Sequence, residues 1–123
     1  MRMSMMLIDT SVWIDHLRRG DDALVERLDD AEVWCHPFIR GELACGHLGN
    51  RQEILSLMLA LPEAPLAGHE EVMTLVESRR LMGRGLGWVD VHLLASAMLA
   101  GIDLWTRDRR LAGVAEELGL DPA

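Results

Sequence analysis

A chain of 123 residues, half of them hydrophobic, supports one domain with a real core, and its longest charge-free stretches, 54–62 and 91–102, are too short to cross a bilayer. Arg2 opens the chain, but Asp9 interrupts before a signal-peptide core can form, so a soluble, cytoplasmic protein with no membrane partner is expected. The net charge of −8 argues, taken alone, against nucleic acid, and all 12 basic residues are arginine, which excludes mechanisms that need a lysine.

Strand-like and helix-like segments alternate along the chain. Residues 5–9 read as a buried strand, 11–18 as a short helix and 21–30 as a second helix. Much of the acidity lies in 21–32, where Leu24, Leu28 and Ala31 keep an apolar stripe, so these acids read as a solvated helix face. A short strand over 32–35 precedes Pro37, well placed to start a helix running to His47. Residues 51–61 form another helix, stopped by Pro62, and 63–67 suit a short edge strand. A helix over 70–82 carries Arg79 and Arg80 in its last turn with Gly83 beyond, a C-terminal signature. A glycine-rich loop over 83–87 leads to an almost wholly apolar helix over 88–100, a strand over 102–106 and a closing helix over 109–118. The loop is no dinucleotide fingerprint, since it follows a helix rather than a strand. Repeated strand–helix units predict a small α/β sandwich with a mostly parallel sheet. Cys35 and Cys45, without CxxC spacing, read as reduced and mostly buried thiols.

Four acids stand out against this frame. Asp9 ends the first strand and Asp108 lies just past a late one, where parallel sheets assemble their sites. Glu42 shares a helix face with Phe38, Ile39 and Cys45, and Asp90 shares one with Leu93, Leu94 and Ala97. Each has a plain explanation on its own. Asp108 and Asp9 suit helix caps, Asp90 suits the positive end of a helix, and Glu42 suits a pairing with an arginine. Together they describe one pocket. Several ionised carboxylates facing one interior repel and resist desolvation unless a cation sits among them, and oxygen donors favour Mg²⁺ or Mn²⁺ over zinc.

The segments Leu7-Ile8-Asp9-Thr10-Ser11-Val12-Trp13-Ile14-Asp15, Arg40-Gly41-Glu42-Leu43, Trp88-Val89-Asp90-Val91-His92-Leu93-Leu94-Ala95-Ser96-Ala97 and Trp105-Thr106-Arg107-Asp108-Arg109-Arg110-Leu111 closely resemble the PIN-domain ribonucleases, and within them the VapC-type toxins. The motifs occur in the family's order and span nearly the whole chain. The resemblance implies a three-layer PIN-like sandwich over 1–123, with 1–5 a short extension or a misplaced start before the usual family beginning. It implies an endoribonuclease dependent on Mg²⁺ (or Mn²⁺), with Asp9, Glu42, Asp90 and Asp108 as the acidic metal-binding cluster. Thr106 matches the family's hydroxyl position and would orient Asp108 or a metal water; Ser11 is a weaker candidate of the same kind, since N-capping explains it equally well. The five histidines show no ligand spacing.

Substrate contact would then fall to Arg84, Arg107, Arg109 and Arg110, since arginine suits bidentate phosphate binding. The implied partners are an RNA substrate, a cognate antitoxin protein and a second copy of the chain, with Leu57, Met58 and Leu61 as candidate dimer residues. Two rival enzymes fail on chemistry: a receiver domain wants a lysine, and an aspartyl phosphatase wants a second Asp where Ser11 stands. A catalytically silent PIN-like domain that binds RNA or protein, and a solitary RNA-processing nuclease, stay open as alternatives.

Overall fold

The computed structural model describes residues 4–122. In chain order the elements are β1 (Met6–Ile8), α1 (Thr10–Arg19), α2 (Asp22–Asp29), β2 (Val33–Trp34), α3 (Pro37–Cys45), α4 (Arg51–Leu59), α5 (His69–Ser78), α6 (Trp88–Ala100), β3 (Asp103–Trp105) and α7 (Arg109–Glu117). The strands run parallel in the order β2–β1–β3, with Met6 opposite Val33 and Asp103, and Ile8 opposite Trp105. Met6, Leu7 and Ile8 are all buried, as a central parallel strand covered on both faces demands. Helices α1 and α2 make the first crossover and α3 to α6 the second. Helix α6, buried continuously from Val91 to Ala97, packs on β1, β3 and α5. The result is the α/β sandwich expected, with the C-terminal ends of β1 and β3 side by side.

Local chemistry sets the helix ends that matter for the site. Asp108 caps α7, its carboxylate accepting from the Arg110 and Leu111 amides. His36 caps α3 ahead of Pro37, with Nδ1 accepting from the Phe38 amide at 2.9 Å. Its Nε2 lies 3.0 Å from Ser96 Oγ, so Nε2 carries the proton and donates. Burial chiefly, and the neighbouring His92, push its pKa down to about 4 and keep the cap neutral.

Several expectations are corrected. The edge strand over 63–67 reduces to an isolated parallel bridge between Cys35 and Glu63, with Pro62 and Pro65 unable to donate to a ladder. Helix α5 ends at Ser78 rather than beyond Arg80; the chain turns at Arg80 itself, at φ 53°, before Gly83 is reached. Glu32 lies on no solvated helix face: the chain turns at Ala31 (φ 57°), and the Glu32 carboxylate is buried, accepting from Ser4 N and Arg27 Nη1. Cys45 is exposed, and only Cys35 is the buried thiol expected. Met58 belongs to the core and is closed to a dimer contact, whereas Leu57 is 62% exposed. Of the first five residues, 1–3 lie outside the described part; the Met5 carbonyl accepts from the Asp103 amide.

Candidate active site

Each of the four acids spends one carboxylate oxygen on a structural hydrogen bond and leaves the other without one among the described residues. Asp9, 8% exposed at the end of β1, receives both Ser11 Oγ and Thr106 Oγ1 on Oδ2, each at 2.7 Å. Its side chain makes no capping bond to α1, so the cap explanation fails for this residue. Asp108 Oδ1 accepts from the Arg110 and Leu111 amides at 2.9 and 3.0 Å. Asp90 Oδ2 accepts from the Gly87 amide at 2.9 Å. Glu42 Oε1 accepts from Thr10 Oγ1 at 2.7 Å, which hooks α3 to the residue following Asp9. The capping explanation of Asp108 is therefore correct, and Asp90, at the positive end of α6, accepts from the Gly87 amide; each keeps a second oxygen for other use.

Two hydroxyls lock the strand ends together. Thr106 Oγ1 donates to Asp9 and accepts from the Asp108 amide at 3.0 Å. Ser11 Oγ donates to Asp9 and accepts from the Arg107 amide at 3.0 Å. Both protons point at Asp9, so the 3.3 Å approach of the two hydroxyls carries no proton of its own. These links span 95 to 97 positions of sequence and position Asp9 rigidly against the turn that carries Asp108.

The three aspartates share one field. Burial pushes the Asp90 carboxyl above the ordinary aspartate value; the Gly87 amide opposes this, and the charges of Asp9 and Asp108 reinforce it. Glu42 joins this group through Thr10, the residue after Asp9. None of the four acids makes an ion pair among the described residues. The carboxylates thus gather negative charge that no side chain among the described residues neutralises, with donors that are all hard oxygens, and this fits a hard divalent cation. Among the described residues no three His, Cys, Asp or Glu side chains stand close enough to hold an ion unaided, so the four acids are not drawn together here as the single metal-binding cluster that the resemblance implied. That openness suits Mg²⁺, which keeps several waters and takes one or two carboxylates plus substrate phosphate.

The arginines divide differently from expectation. Arg84 makes a two-point pair with Glu117 at 2.6 and 2.8 Å, at the far end of α7 from Asp108. Arg107 turns from its neighbour Asp108 to Asp15, at 2.7 Å, and to Asp21, and its guanidinium lies 5.7 Å from the Trp105 ring centre. Arg109 and Arg110 have no carboxylate partner among the described residues. Arg110 lies over Gly85, where a Cβ would stand 2.6 Å from its Cδ and where φ is +79°, so any other residue there is strained and displaces the arginine. Sequence reasoning missed Thr10 as the partner of Glu42 and His36 as a cap. The His-Pro pair before a helix was a signal for the second; nothing local signals the first.

Comparison with known proteins gives the family. The model of the PIN domain family matches residues 6–117. The chain is 50% identical over 117 residues to Ribonuclease VapC32 of Mycobacterium tuberculosis, in strains CDC 1551 and H37Rv alike, covering 94% of this chain and 94% of the relative. Its fold is similar to the crystal structure of PAE2754 from Pyrobaculum aerophilum, with a TM-score of 0.62 at 18% identity, over 89% of this chain and 84% of that one.

Proposed function

The chain belongs to the PIN domain family and is of the VapC ribonuclease type, and from that premise we propose a Mg²⁺-dependent (or Mn²⁺-dependent) endoribonuclease that hydrolyses RNA phosphodiesters at the Asp9–Asp90–Asp108 pocket. The observation that carries this is the unquenched charge: Asp9, Asp90 and Asp108 are held by hydroxyls and backbone amides, and none of them makes an ion pair among the described residues. A divalent ion bound there supplies charge neutralisation on the phosphate and a lowered pKa for the attacking water. The chain's own residues do the positioning. Ser11 and Thr106 orient Asp9 so that its Oδ1 stays open, the Arg110 and Leu111 amides do the same for Asp108 Oδ2, and the Gly87 amide for Asp90 Oδ1. Glu42, held by Thr10, adds a fourth acid at the margin. Arg109 and Arg110, free of carboxylate partners, would meet the RNA phosphates.

As a VapC-type protein it would be the toxin of a toxin–antitoxin pair working in the cytoplasm; among the described residues no helix is long and apolar enough to cross a membrane. The cognate antitoxin would silence it, and a basic antitoxin side chain laid among the same acids would do so by replacing the cation. Exposed Leu57, with half-buried Leu61, gives a homodimer an apolar contact.

The test is cleavage of single-stranded RNA by purified protein with and without Mg²⁺, with Asp9→Asn as the control. Cleavage that needs the ion and disappears in the variant supports the reading. RNA bound but left uncut by the wild type in either ion would leave a silent RNA-binding module.

A further inference from the structure

Glu42 does two things at once. Besides accepting from Thr10, the residue after Asp9, it lines a cavity of about 420 Å³ between α1, α3 and α4, in the size range of small-ligand clefts. Ile14, Leu48 and Ile54 supply apolar lining, and Arg18 and His47 supply polar groups. Arg18 is the telling residue. The chain carries 20 acids against 12 arginines, and the next arginine, Arg19, already pairs with Asp15 at 3.4 Å. Yet Arg18 has no carboxylate partner among the described residues and lines the same cavity as Glu42. A second cavity, of about 370 Å³, shares the Leu17 and Ile54 wall but is lined by Trp13, Leu28, Leu57 and Leu61 with no charged residue, so it offers a phosphate nothing.

We propose, resting on the ribonuclease reading above, that the cavity beside Glu42 receives one of the two nucleotides flanking the scissile phosphate. The phosphate of that nucleotide pairs with Arg18, and its base, unstacked from the RNA, lies against the apolar lining with His47 at the rim. Unpaired RNA elsewhere has its bases splayed out, stacked on aromatic or guanidinium faces and hydrogen-bonded at their edges; in this cavity His47 is the ring and Arg18 the guanidinium. The arrangement gives the RNA a direction across the molecule. It passes from Arg109 and Arg110 beside Asp108, over the aspartates, to Glu42 and Arg18. Nucleotide preference would then be set at the Arg18 end, away from the reacting bond.

The experiment measures kcat/KM on short single-stranded RNAs that carry an abasic residue on one side or the other of the cleavage position. Loss of the base at the seated position should slow the wild type roughly tenfold, the scale of one base contact. Leu48→Trp, or Ile14→Trp on the opposite wall, should fill the cavity, retain the fold by melting temperature, and cut intact and abasic RNA alike. Arg18→Ala should lower kcat/KM for all substrates roughly tenfold and Arg18→Lys should restore most of it. Anisotropy of the same RNAs bound to the Asp9→Asn protein, which holds without cutting, should follow the same order. A wild type indifferent to abasic residues on both sides overturns the proposal, as do Arg18→Ala and cavity-filled variants that cut like the wild type. If such variants cut normally but lose a peptide of the antitoxin, the cavity is a protein site and the proposal falls. Failure of the wild type to cut any RNA in Mg²⁺ or Mn²⁺ instead removes the nuclease reading itself.

Discussion

Two groups of aspartates sit at the same end of this sheet and meet opposite fates. Asp15 on α1 and Asp21 at the start of α2 share a guanidinium, that of Arg107, braced over the Trp105 ring. Asp9, Asp90 and Asp108 are held only by hydroxyls and backbone amides, although Arg107 and Arg109 flank Asp108 in the chain. The difference lies in where the partner's charge goes. A neutral donor fixes a carboxylate's direction without cancelling its charge, while an arginine does both. The first group is therefore finished by folding, and the second is left for a cation from outside.

The largest way to break this contrast is to remove one charge from the open group. Asp9→Asn keeps a side-chain oxygen for Ser11 and Thr106, so the fold should stand while RNA cleavage falls by roughly 10²–10⁴-fold, the scale of a lost catalytic group. Full activity in a gel-based cleavage assay would mean the pocket is only a structural knot. Next in size is the effect of the ion on stability. An ion that binds only the folded state at a concentration of 100 Kd adds about 2.7 kcal/mol. Mg²⁺ or Mn²⁺ should therefore raise the melting temperature of the wild type, and raise it clearly less in Asp90→Asn. Equal shifts in both proteins would deny Asp90 any part in holding the ion.

What the sequence made legible follows from range. Periodicity located every helix, and for α6 it gave both ends, Trp88 and Ala100, because an apolar run bounded by Gly87 and Gly101 leaves no ambiguity. The acids were legible for a related reason: a carboxylate at a strand end or on an apolar face violates the local pattern. What stayed hidden was pairing across the chain. Arg107 reads as a phosphate ligand from its neighbours, yet Asp15 and Asp21 stand about ninety positions away in sequence and claim it. Glu32 reads as one more acid of a helical face because the 3.6-residue period continues in sequence after the turn at Ala31 has ended the helix. Arg80 misled in the opposite sense, since Gly83 is the better left-handed residue and the chain turned earlier.

The arginines sharpen the same contrast at a smaller scale. Arg107→Ala removes the arginine of Asp21 and leaves Asp15 only its longer contact with Arg19, and the loss of two partly exposed pairs should cost about 1 kcal/mol in a denaturant titration. Arg109→Ala breaks no pair and should leave stability unchanged, while raising KM for RNA roughly tenfold. If both arginines behave alike in both assays, the division between structural and substrate-facing cations is wrong.

The smallest effect is the most discriminating, because the two groups should answer pH with opposite signs. In the unfolded chain both Asp90 and Asp21 titrate from 3.8. Folding raises Asp90 by burial, with the charges of Asp9 and Asp108 adding to it, so the native state binds that proton more tightly. Its contribution to stability then declines as pH rises from about 3.8 through the folded value, and stays lost at neutral pH. Asp21 is the reverse. Burial works against its charge, but the Leu24 amide and the Arg107 guanidinium outweigh it and hold the carboxyl below the ordinary range. Its stabilisation is present above 3.8 and disappears as pH falls through the depressed value. Unfolding of metal-free wild type, Asp90→Asn and Asp21→Asn from pH 3 to 8 isolates the two groups, since His36, neutral down to about 4, contributes equally to all three and cancels in the differences. Relative to wild type, Asp90→Asn should gain stability as pH rises and Asp21→Asn should lose it. Difference curves of the same sign would show that Arg107 does not distinguish the two sets of acids, and that the charge in the pocket is quenched by something other than a bound cation.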